Sequence, residues 1–568
     1  MGPRRYVVLG LWVLAADAWF QGPIVGRWAG PMAAIPLALA LLAVVGWDAA
    51  RRPRPEFGPE DRRFLWAAAA VALVATLVRL PALNAPASLI SSDSAVAGII
   101  AQELAAGQLP APIYAPGFPY EGTLKPHLTV LVSWLLRGGI PSAYAWTSHL
   151  FYLAWTIAVL ALARRASGTT GALAAGLFMA VSPRFLVAFS LNNVGQYPEV
   201  NALGAAALLA LATPVAAGFL LGLAVWQQML AVYFVAAAAL LVLFTPEWRR
   251  PRRIADAAYG FLAGSYPLWI WNAAHGFETF DLFRRGGKQP ADRIAGLPDS
   301  IERVLAVSFP KMFGLTDLGL APAPALVLGA LLPLLVIAMA VLSRREIRER
   351  RGRSPALVAL VLFLVVVSLF AASKFSHRGA QRPRYLMPVY TSVAIALGWG
   401  IAGLARRSRV GAGAVLATVL GANLVGLVPW LQGRREAEAR DRALLAELAR
   451  LNVRTGYAGF WVAPKYTFLS EGRVVLSGEL GPSVSWVHPA HAARVRESGP
   501  DAFIVGIGAN ARAFQKRLAA LDCPAERADV SGLAIFHHYC RPLTLEDVAG
   551  YDVVAEPPDE GETPDGDP

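Results

Sequence analysis

Repeated apolar runs about as long as a bilayer is thick constrain this chain more than any other feature. Phe64–Leu83, Ala323–Leu342, Ala356–Ala372 and Tyr385–Leu404 each approach the ~20 residues that a transmembrane helix needs. Only 16% of the 568 residues are charged, whereas a typical soluble domain carries about 25%. The sequence therefore predicts an integral membrane protein built mostly from α-helices.

The apolar segments predict about thirteen spans, with the amino terminus in the cytoplasm and the carboxyl terminus outside. They lie near residues 6–20, 30–47, 64–83, 143–163, 171–190, 199–212, 215–228, 229–244, 255–272, 322–342, 355–373, 385–405 and 411–430. Arginines cluster in loops that this count places inside, such as Arg249–Arg253 and Arg344–Arg353, as the positive-inside rule requires. This clustering accounts for the net charge of +13 without a nucleic-acid partner. We expect the protein to reside in the cytoplasmic (inner) membrane of a bacterium.

The chain divides into four expected parts. They are an added transmembrane hairpin at 1–60, a transmembrane core at 61–430 with long outer loops at 85–142 and 273–320, an extracytoplasmic α/β domain at 431–555, and a disordered acidic tail at 556–568. A solvated helix at 434–451 is followed by short apolar runs and helical patterns, which indicate the α/β domain. The apolar runs lie at 455–461, 474–476, 502–507 and 533–537, and the helical patterns at 489–497 and 510–521. Its two cysteines, Cys523 and Cys540, flank a predicted strand pair. An oxidising compartment favours a disulfide between them over two separate buried thiols.

A basic segment lies between two spans on the side where the charge rule predicts few cations. Its titratable residues are Lys374, His377, Arg378, Arg382 and Arg384. Long basic side chains can reach the membrane surface without any ligand. Arginine forks also match phosphate oxygens, however, so the segment predicts binding of a lipid phosphate. His377 could instead be a metal ligand or an acid.

Acidic residues in the first long loop are candidates for chemistry. The loop contains two amphipathic stretches, at 94–106 and 125–136. Asp93 follows the 64–83 span and directly precedes the first of them, where a carboxylate can cap a helix or act as a general base. Glu121, Lys125 and His127 share an irregular loop and can converge on one ligand. The alternative is a Glu121–Lys125 pair at the surface, which would contribute little to stability.

A polar turn lies deeper in the predicted core. Gln196, Tyr197 and Glu199 occupy a boundary between two spans, where polar residues often line a cavity. Pro198 and Glu199 also suit the first turn of a helix, and both interpretations can hold at once. The sequence contains no Walker loop, zinc motif or dinucleotide fingerprint, which disfavours a nucleotide-driven pump.

The order of these motifs along the chain resembles that of the C-type glycosyltransferase superfamily. These polyprenyl-phosphate-sugar enzymes include protein mannosyltransferases and the lipid A aminoarabinose transferase. The resemblance is one of pattern over roughly residues 60–430, carried by Ser92-Asp93-Ser94-Ala95, Gly195–Glu199 and Arg384-Tyr385. Tyr120-Glu-Gly-Thr-Leu and Gly456–Trp461 are similar to a bacterial branch of predicted glycosyltransferases.

The resemblance implies an inverting transfer of a sugar from a polyprenyl-phosphate donor to a hydroxyl of a lipid, glycan or protein. Asp93 would be the general base, and the basic segment would hold the leaving phosphate among membrane lipids. The residues expected to line the substrate cavity are Glu121, Lys125, His127, Gln196, Tyr197, Glu199 and Tyr385.

The resemblance leaves metal dependence and two other functions open. Many relatives carry a second acid directly after the loop aspartate, where this chain has Ser94. Binding of Mg²⁺ or Mn²⁺ would then require Asp93, Glu121 or Glu199 as ligands. The alternative functions are a multispan transporter or lipid flippase, and a non-catalytic subunit for envelope assembly.

Overall fold

The computed structural model describes residues 4–51, 58–191, 195–281, 296–376, 382–480 and 487–548, so the predicted acidic tail lies outside the described residues. Its α-helices are Arg4–Trp19 (α1), Gly26–Ala29 (α2), Ala34–Arg51 (α3), Pro59–Leu83 (α4), Ser92–Ala105 (α5), Leu124–Leu136 (α6), Ile140–Ala180 (α7), Arg184–Leu191 (α8), Tyr197–Leu209 (α9), Pro214–Gln227 (α10), Val232–Leu243 (α11), Pro251–Gly264 (α12), Tyr266–Ala274 (α13), Leu297–Arg303 (α14), Phe309–Met312 (α15), Pro322–Leu342 (α16), Arg344–Arg350 (α17), Pro355–Ala371 (α18), Val389–Ala405 (α19), Arg409–Arg450 (α20), Ala463–Leu469 (α21), Pro489–Ser498 (α22), Ala509–Ala520 (α23) and Leu545–Val548 (α24). Its strands are Tyr114–Ala115 (β1), Phe118–Gly122 (β2), Thr455–Ala458 (β3), Val475–Ser477 (β4), Ala502–Gly506 (β5), Glu526–Val530 (β6) and Leu533–His537 (β7).

Several helices have the length and composition of membrane spans. Within the described ranges, α4, α7, α16 and α20 each qualify, and the bent pair α17–α18 would make a fifth. The surface of α4 exposes Trp66 at 77% and Leu73 at 59%. Large apolar side chains exposed along such helices indicate contact with lipid. The fold is that of a helical membrane protein, and the count of thirteen spans stays a prediction.

Each predicted span coincides with helical structure, but the helices divide differently. The predicted spans 143–163 and 171–190 lie on either side of a break inside α7, where Ser167 and Gly168 leave the helical backbone and Gly168 has a φ of +73°. Glycine adopts that left-handed backbone without a steric cost. The second segment also extends beyond α7 into α8. The 255–272 segment is instead two helices, α12 and α13, which meet at Ser265.

The last span runs directly into the C-terminal domain. The 42 residues of α20 form one helix about 63 Å long. It therefore passes through the predicted boundary at residue 431, because the predicted solvated helix at 434–451 continues the apolar one without a break. One continuous helix thus connects the transmembrane core to the C-terminal domain.

The C-terminal domain is α/β, as predicted. Its sheet has the order β4-β3-β5-β7-β6, with β3 parallel to β4 and β5, and with β7 antiparallel to β5 and β6. A disulfide joins Cys523 to Cys540, whose Cα atoms are 5.2 Å apart. It links the segment before β6 to the segment after β7.

This domain packs against α5, the helix that carries Asp93. Gln102 Nε2 donates a hydrogen bond to the carbonyl oxygen of Phe468 at 2.7 Å. The Phe468 ring lies over Gly98, where an added Cβ would stand 2.5 Å from the ring carbon Cζ. Apolar residues of α5, α20 and the sheet form one hydrophobic cluster. The sheet is therefore placed relative to α5 by direct contact.

Candidate active site

Asp93 lies in the first turn of α5 and is half-buried. The N-cap of this helix is Ser91, whose side-chain oxygen accepts a hydrogen bond from the backbone N–H of Ser94 at 3.2 Å. The Ser94 hydroxyl oxygen in turn accepts one from the backbone N–H of Ser91 at 2.8 Å. This reciprocal arrangement is a capping box in which Ser91 is the N-cap. Asp93 follows as the second residue of the helix, within its first turn.

Glu121 is placed by the short β1–β2 hairpin and its contacts with α9 and α10. The Gln196 side chain donates a hydrogen bond from Nε2 to the carbonyl oxygen of Gly122 at 2.8 Å. Glu121 itself forms an isolated antiparallel bridge with Gln228. A Cβ at Gly122 would lie 2.6 Å from the carbonyl oxygen of Trp226, so only glycine allows this close approach. The carboxyl of Glu121 is thus held where three distant segments meet.

The electrostatic surroundings of Glu121 show which predicted residues come together. Burial is the main cause that raises the pKa of its carboxyl, and the negative charge of Asp93 raises the pKa further. Arg384 and Lys125 oppose this effect, and the net result raises the pKa of Glu121 to about 8. These charges act at short range in a protein interior. Asp93 and Arg384 therefore both lie close to Glu121, although 291 positions of sequence separate them from each other.

The pKa of Tyr120, the residue before Glu121, is affected by charges from the same two segments. Burial raises the pKa of its phenol, and the charges of Glu121 and Asp93 raise the pKa further. The cation of Arg382 opposes them. Both described arginines of the basic segment, Arg382 and Arg384, thus lie near the acidic residues of the first long loop.

Arg384 reaches this site through a 3₁₀ turn, Pro383–Leu386, just ahead of α19. Its side chain is buried with 7% exposed, whereas Arg382 is exposed. The Arg384 guanidinium carbon lies 5.8 Å from the centre of the Tyr385 ring. That ring is 6.1 Å from the ring of Tyr197. Tyr385, directly after the basic segment, therefore contacts the polar turn that begins α9.

Lys125 and Glu199 form a buried ion pair beneath the site. The Lys125 Nζ atom is 3.8 Å from Glu199 Oε1, and both side chains are 0% exposed. Nζ also donates a hydrogen bond to Ser148 Oγ at 2.5 Å and lies 3.6 Å from the centre of the Tyr144 ring. Burial lowers the pKa of Lys125, and the carboxylate of Glu199 opposes this shift. The alternative of a Glu121–Lys125 surface pair was wrong, because Lys125 is buried and pairs with α9.

Some of the predicted residues do not join the site or cannot be assessed. His127 Nε2 accepts a hydrogen bond from Trp19 Nε1 at 2.7 Å, and His127 Nδ1 lies 2.6 Å from the carbonyl oxygen of Thr123. Both ring nitrogens are thus engaged, and His127 joins α6 to α1. The predictions for His377 and Arg378 lie outside the described residues, as does the side chain of Lys374.

Two glutamines that sequence reasoning missed also lie here. The side chain of Gln227 is fully buried, and neither of its polar atoms has a hydrogen-bond partner among the described residues. Its Nε2 lies 2.7 Å from the position of a Cβ at Gly122. Gln228 Oε1 accepts from the backbone N–H of Leu230 at 2.6 Å. Adjacent amides inside a long apolar segment were the available signal, since lipid does not accommodate them.

The candidate metal ligands do not form a compact group. Among the described residues, the one set of three or more ligand atoms within 4.8 Å of one another lies in the C-terminal domain. Asp93, Glu121 and Glu199 are therefore not gathered as a three-carboxylate site, and Glu199 faces Lys125 instead. Mg²⁺ or Mn²⁺ binding by the adjacent pair Asp93 and Glu121 stays a prediction.

The chain combines a bundle of membrane-length helices with a C-terminal α/β domain. This fold is similar to that of solved C-type glycosyltransferases. The particular structures that share it include ArnT from Cupriavidus metallidurans bound to undecaprenyl phosphate, at 15% sequence identity and a TM-score of 0.51. That likeness covers 82% of this chain and 98% of ArnT. The predicted resemblance is thus confirmed in the fold.

Other similarities are weaker. The apo structure of the same ArnT gives a TM-score of 0.48 at 15% identity, and covers 78% of this chain and 92% of that one. The archaeal oligosaccharyltransferase AglB from Archaeoglobus fulgidus, in complex with an inhibitory peptide and a dolichol-phosphate, gives 0.46 at 14% identity, with 78% and 69% covered. No protein-family model and no curated protein sequence matches the chain.

Proposed function

We propose that this protein is a membrane glycosyltransferase that moves a sugar from a polyprenyl-phosphate donor to an acceptor hydroxyl at the extracytoplasmic face of the bacterial inner membrane. The observation that carries the proposal is the proximity of both Asp93 and Arg384 to Glu121. The fold supports it, because ArnT, with the same fold, was crystallised with undecaprenyl phosphate. Charges from distant segments at one site are typical of a functional centre.

The proposed reaction is a single displacement at the anomeric carbon. The acceptor oxygen attacks that carbon and forms a new glycosidic bond, while the bond from carbon to the phosphate oxygen breaks. The phosphate leaves with the bonding electron pair, and the configuration at the anomeric carbon inverts. The acceptor proton passes to a carboxylate oxygen of Asp93, which would act as the general base.

Arg384 would stabilise the charge that accumulates on the leaving phosphate. A guanidinium held in a site largely shielded from water interacts with that charge more strongly than one in solvent does. Arg382, which is exposed, would contact the same headgroup from the rim, and Lys374, His377 and Arg378 complete the proposed basic set. Glu121, close to Asp93 and with its pKa raised to about 8, would donate a hydrogen bond as a neutral acid near pH 7.

The deeper polar residues would contact the sugar. Gln196 and Gln227 are buried and have polar atoms without hydrogen-bond partners among the described residues. Buried polar atoms of this kind are rare in proteins, and sugar hydroxyls would satisfy them. Tyr197 and Tyr385 would cover the sugar ring from the side of the basic segment.

Purified protein in nanodiscs tests the assignment of Asp93 and Arg384. The assay incubates a panel of undecaprenyl-phosphate sugars with an envelope extract as acceptor and measures released undecaprenyl phosphate. Asp93→Asn should reduce release by about 10²–10⁴-fold, as loss of a general base does. It should leave binding of undecaprenyl phosphate within about twofold, because no cation is removed.

Arg384→Gln should instead weaken binding of undecaprenyl phosphate by about tenfold or more, the loss expected of a charge-assisted contact. The matched controls are Glu436→Gln and Arg435→Gln, which replace two exposed residues of α20. Full activity of Asp93→Asn would exclude Asp93 as the base. Movement of undecaprenyl-phosphate sugar between leaflets without bond cleavage would instead indicate a flippase.

A further inference from the structure

The β6–β7 hairpin of the C-terminal domain brings two histidines and a glutamate to one point. His537 Nδ1 lies 3.8 Å from Glu526 Oε2, and His538 Nδ1 lies 3.2 Å from the same oxygen. All three ligand atoms lie within 4.8 Å of one another. This group is separate from the candidate active site and was not among the residues that the sequence indicated.

The backbone accounts for the convergence. Glu526 and His537 are directly opposite in the antiparallel register of β6 and β7, so their side chains share one face of the sheet. In an extended strand the next side chain would point to the other face. His538 instead has a φ of +50°, and this left-handed residue turns the chain so that its ring also reaches Glu526. Such a conformation is uncommon for residues other than glycine and often marks a functional position.

The burial of His537 points to a missing ligand. Only 5% of this residue is exposed, and its Nδ1 has no hydrogen-bond partner among the described residues. Most buried polar atoms in folded proteins have a partner. Nδ1 faces the carboxylate of Glu526 at a distance too long for a hydrogen bond. A cation between the two groups would satisfy both.

We propose that Glu526, His537 and His538 bind a divalent transition-metal ion, with Zn²⁺ as the best match. Zinc bonds of about 2.0–2.1 Å in a tetrahedron leave neighbouring ligand atoms about 3.3–3.4 Å apart. The two observed separations, 3.2 and 3.8 Å, bracket that spacing. Imidazole and carboxylate ligands suit zinc better than Mg²⁺ or Ca²⁺, which prefer oxygen alone.

The surroundings are compatible with a bound cation. One cation and one anion at the end of α20, Arg450 and Glu447, lie near His537. These two residues form a two-point ion pair, at 2.6 and 2.9 Å, so their charges largely compensate. Glu526 and His538 are exposed, which leaves solvent access to a fourth coordination position. A bound metal would fix the open end of the hairpin close to Cys540.

Metal titration of the whole protein tests the site. Chelator-treated protein, with its affinity tag removed, is titrated with Zn²⁺ in competition with a chromophoric chelator and, separately, with Co²⁺. Wild type should bind one equivalent of Zn²⁺ more than His538→Ala or Glu526→Gln does. Tetrahedral Co²⁺ should give intense visible bands that both variants lose. His275→Ala, an exposed histidine elsewhere, is the matched control and should keep both signals.

The variants also separate this site from a catalytic metal. Asp93→Asn and Glu121→Gln should retain the additional equivalent, since neither residue lies in the hairpin. The ligands replaced are at the surface, so metal-free melting temperatures should match wild type, and added Zn²⁺ should raise the melting temperature of wild type alone. Equal Zn²⁺ stoichiometry in wild type and both hairpin variants would overturn the proposal.

Discussion

Replacing Lys125 with methionine would leave the carboxylate of Glu199 buried without its cation. Both side chains are 0% exposed and lie 3.8 Å apart, so neither charge is compensated by water. Removing one partner of a buried ion pair lowers the free energy of unfolding by about 3–5 kcal/mol, because the remaining charge stays desolvated. The cation over the Tyr144 ring is lost as well. We therefore expect Lys125→Met to be among the most destabilising single substitutions in the core.

The double variant Lys125→Met/Glu199→Gln tests the cause. Because the double variant removes both charges, it should recover at least about 2 kcal/mol of the unfolding free energy that Lys125→Met loses, as replacements of whole buried ion pairs do. The assay is equilibrium unfolding by SDS in mixed micelles, followed by tryptophan fluorescence. Arg450→Met, in the exposed pair with Glu447, is the control and should cost under about 1 kcal/mol. A double variant no more stable than the single would refute the reasoning.

Two further predictions follow from the site and its support. Because burial and Asp93 raise the pKa of Glu121 to about 8, this carboxyl is neutral below that pH and ionises above it. Binding of undecaprenyl phosphate should therefore weaken about tenfold between pH 6.5 and 9. Glu121→Gln should remove that pH-dependent loss. If the variant showed the same pH dependence of binding as wild type, Glu121 would not be the titrating group. Gly98→Ala places a Cβ 2.5 Å from Phe468 Cζ and should lower the free energy of unfolding by about 1–3 kcal/mol. The readout is faster proteolysis of the C-terminal domain. Gly433→Ala, which has open space around the new Cβ, should leave the proteolysis rate unchanged.

Local pattern predicted most of the elements, since each is encoded within a few residues. Leu533–His537 was predicted with its observed ends, and the helices at 94–106 and 125–136 lie within two residues of α5 and α6. The helix patterns at 489–497 and 510–521 were equally close to α22 and α23. Periodicity of apolar residues is enough for this, because it records which face of an element is buried.

The partners of the charged residues were not predictable in the same way. Lys125 is four residues from Glu121 but pairs with Glu199, which is 74 positions away, because α6 and α9 both pack against α7 and bring these two charges together in the interior. Asp93 was correctly placed near a helix start, but Ser91 provides the cap. Long-range pairing depends on tertiary structure, which a single sequence does not display.

The position of Asp93 and that of the C-terminal domain are not independent of each other. Asp93 begins α5, and Gln102 and Glu103 lie near its end, where they contact Phe468 and His488 of the domain. A helix of 14 residues is a rigid rod about 21 Å long. Any displacement of the domain must therefore move α5 or break these contacts. The domain thus supports the helix that carries the proposed base, so its removal would affect catalysis even if it binds no substrate.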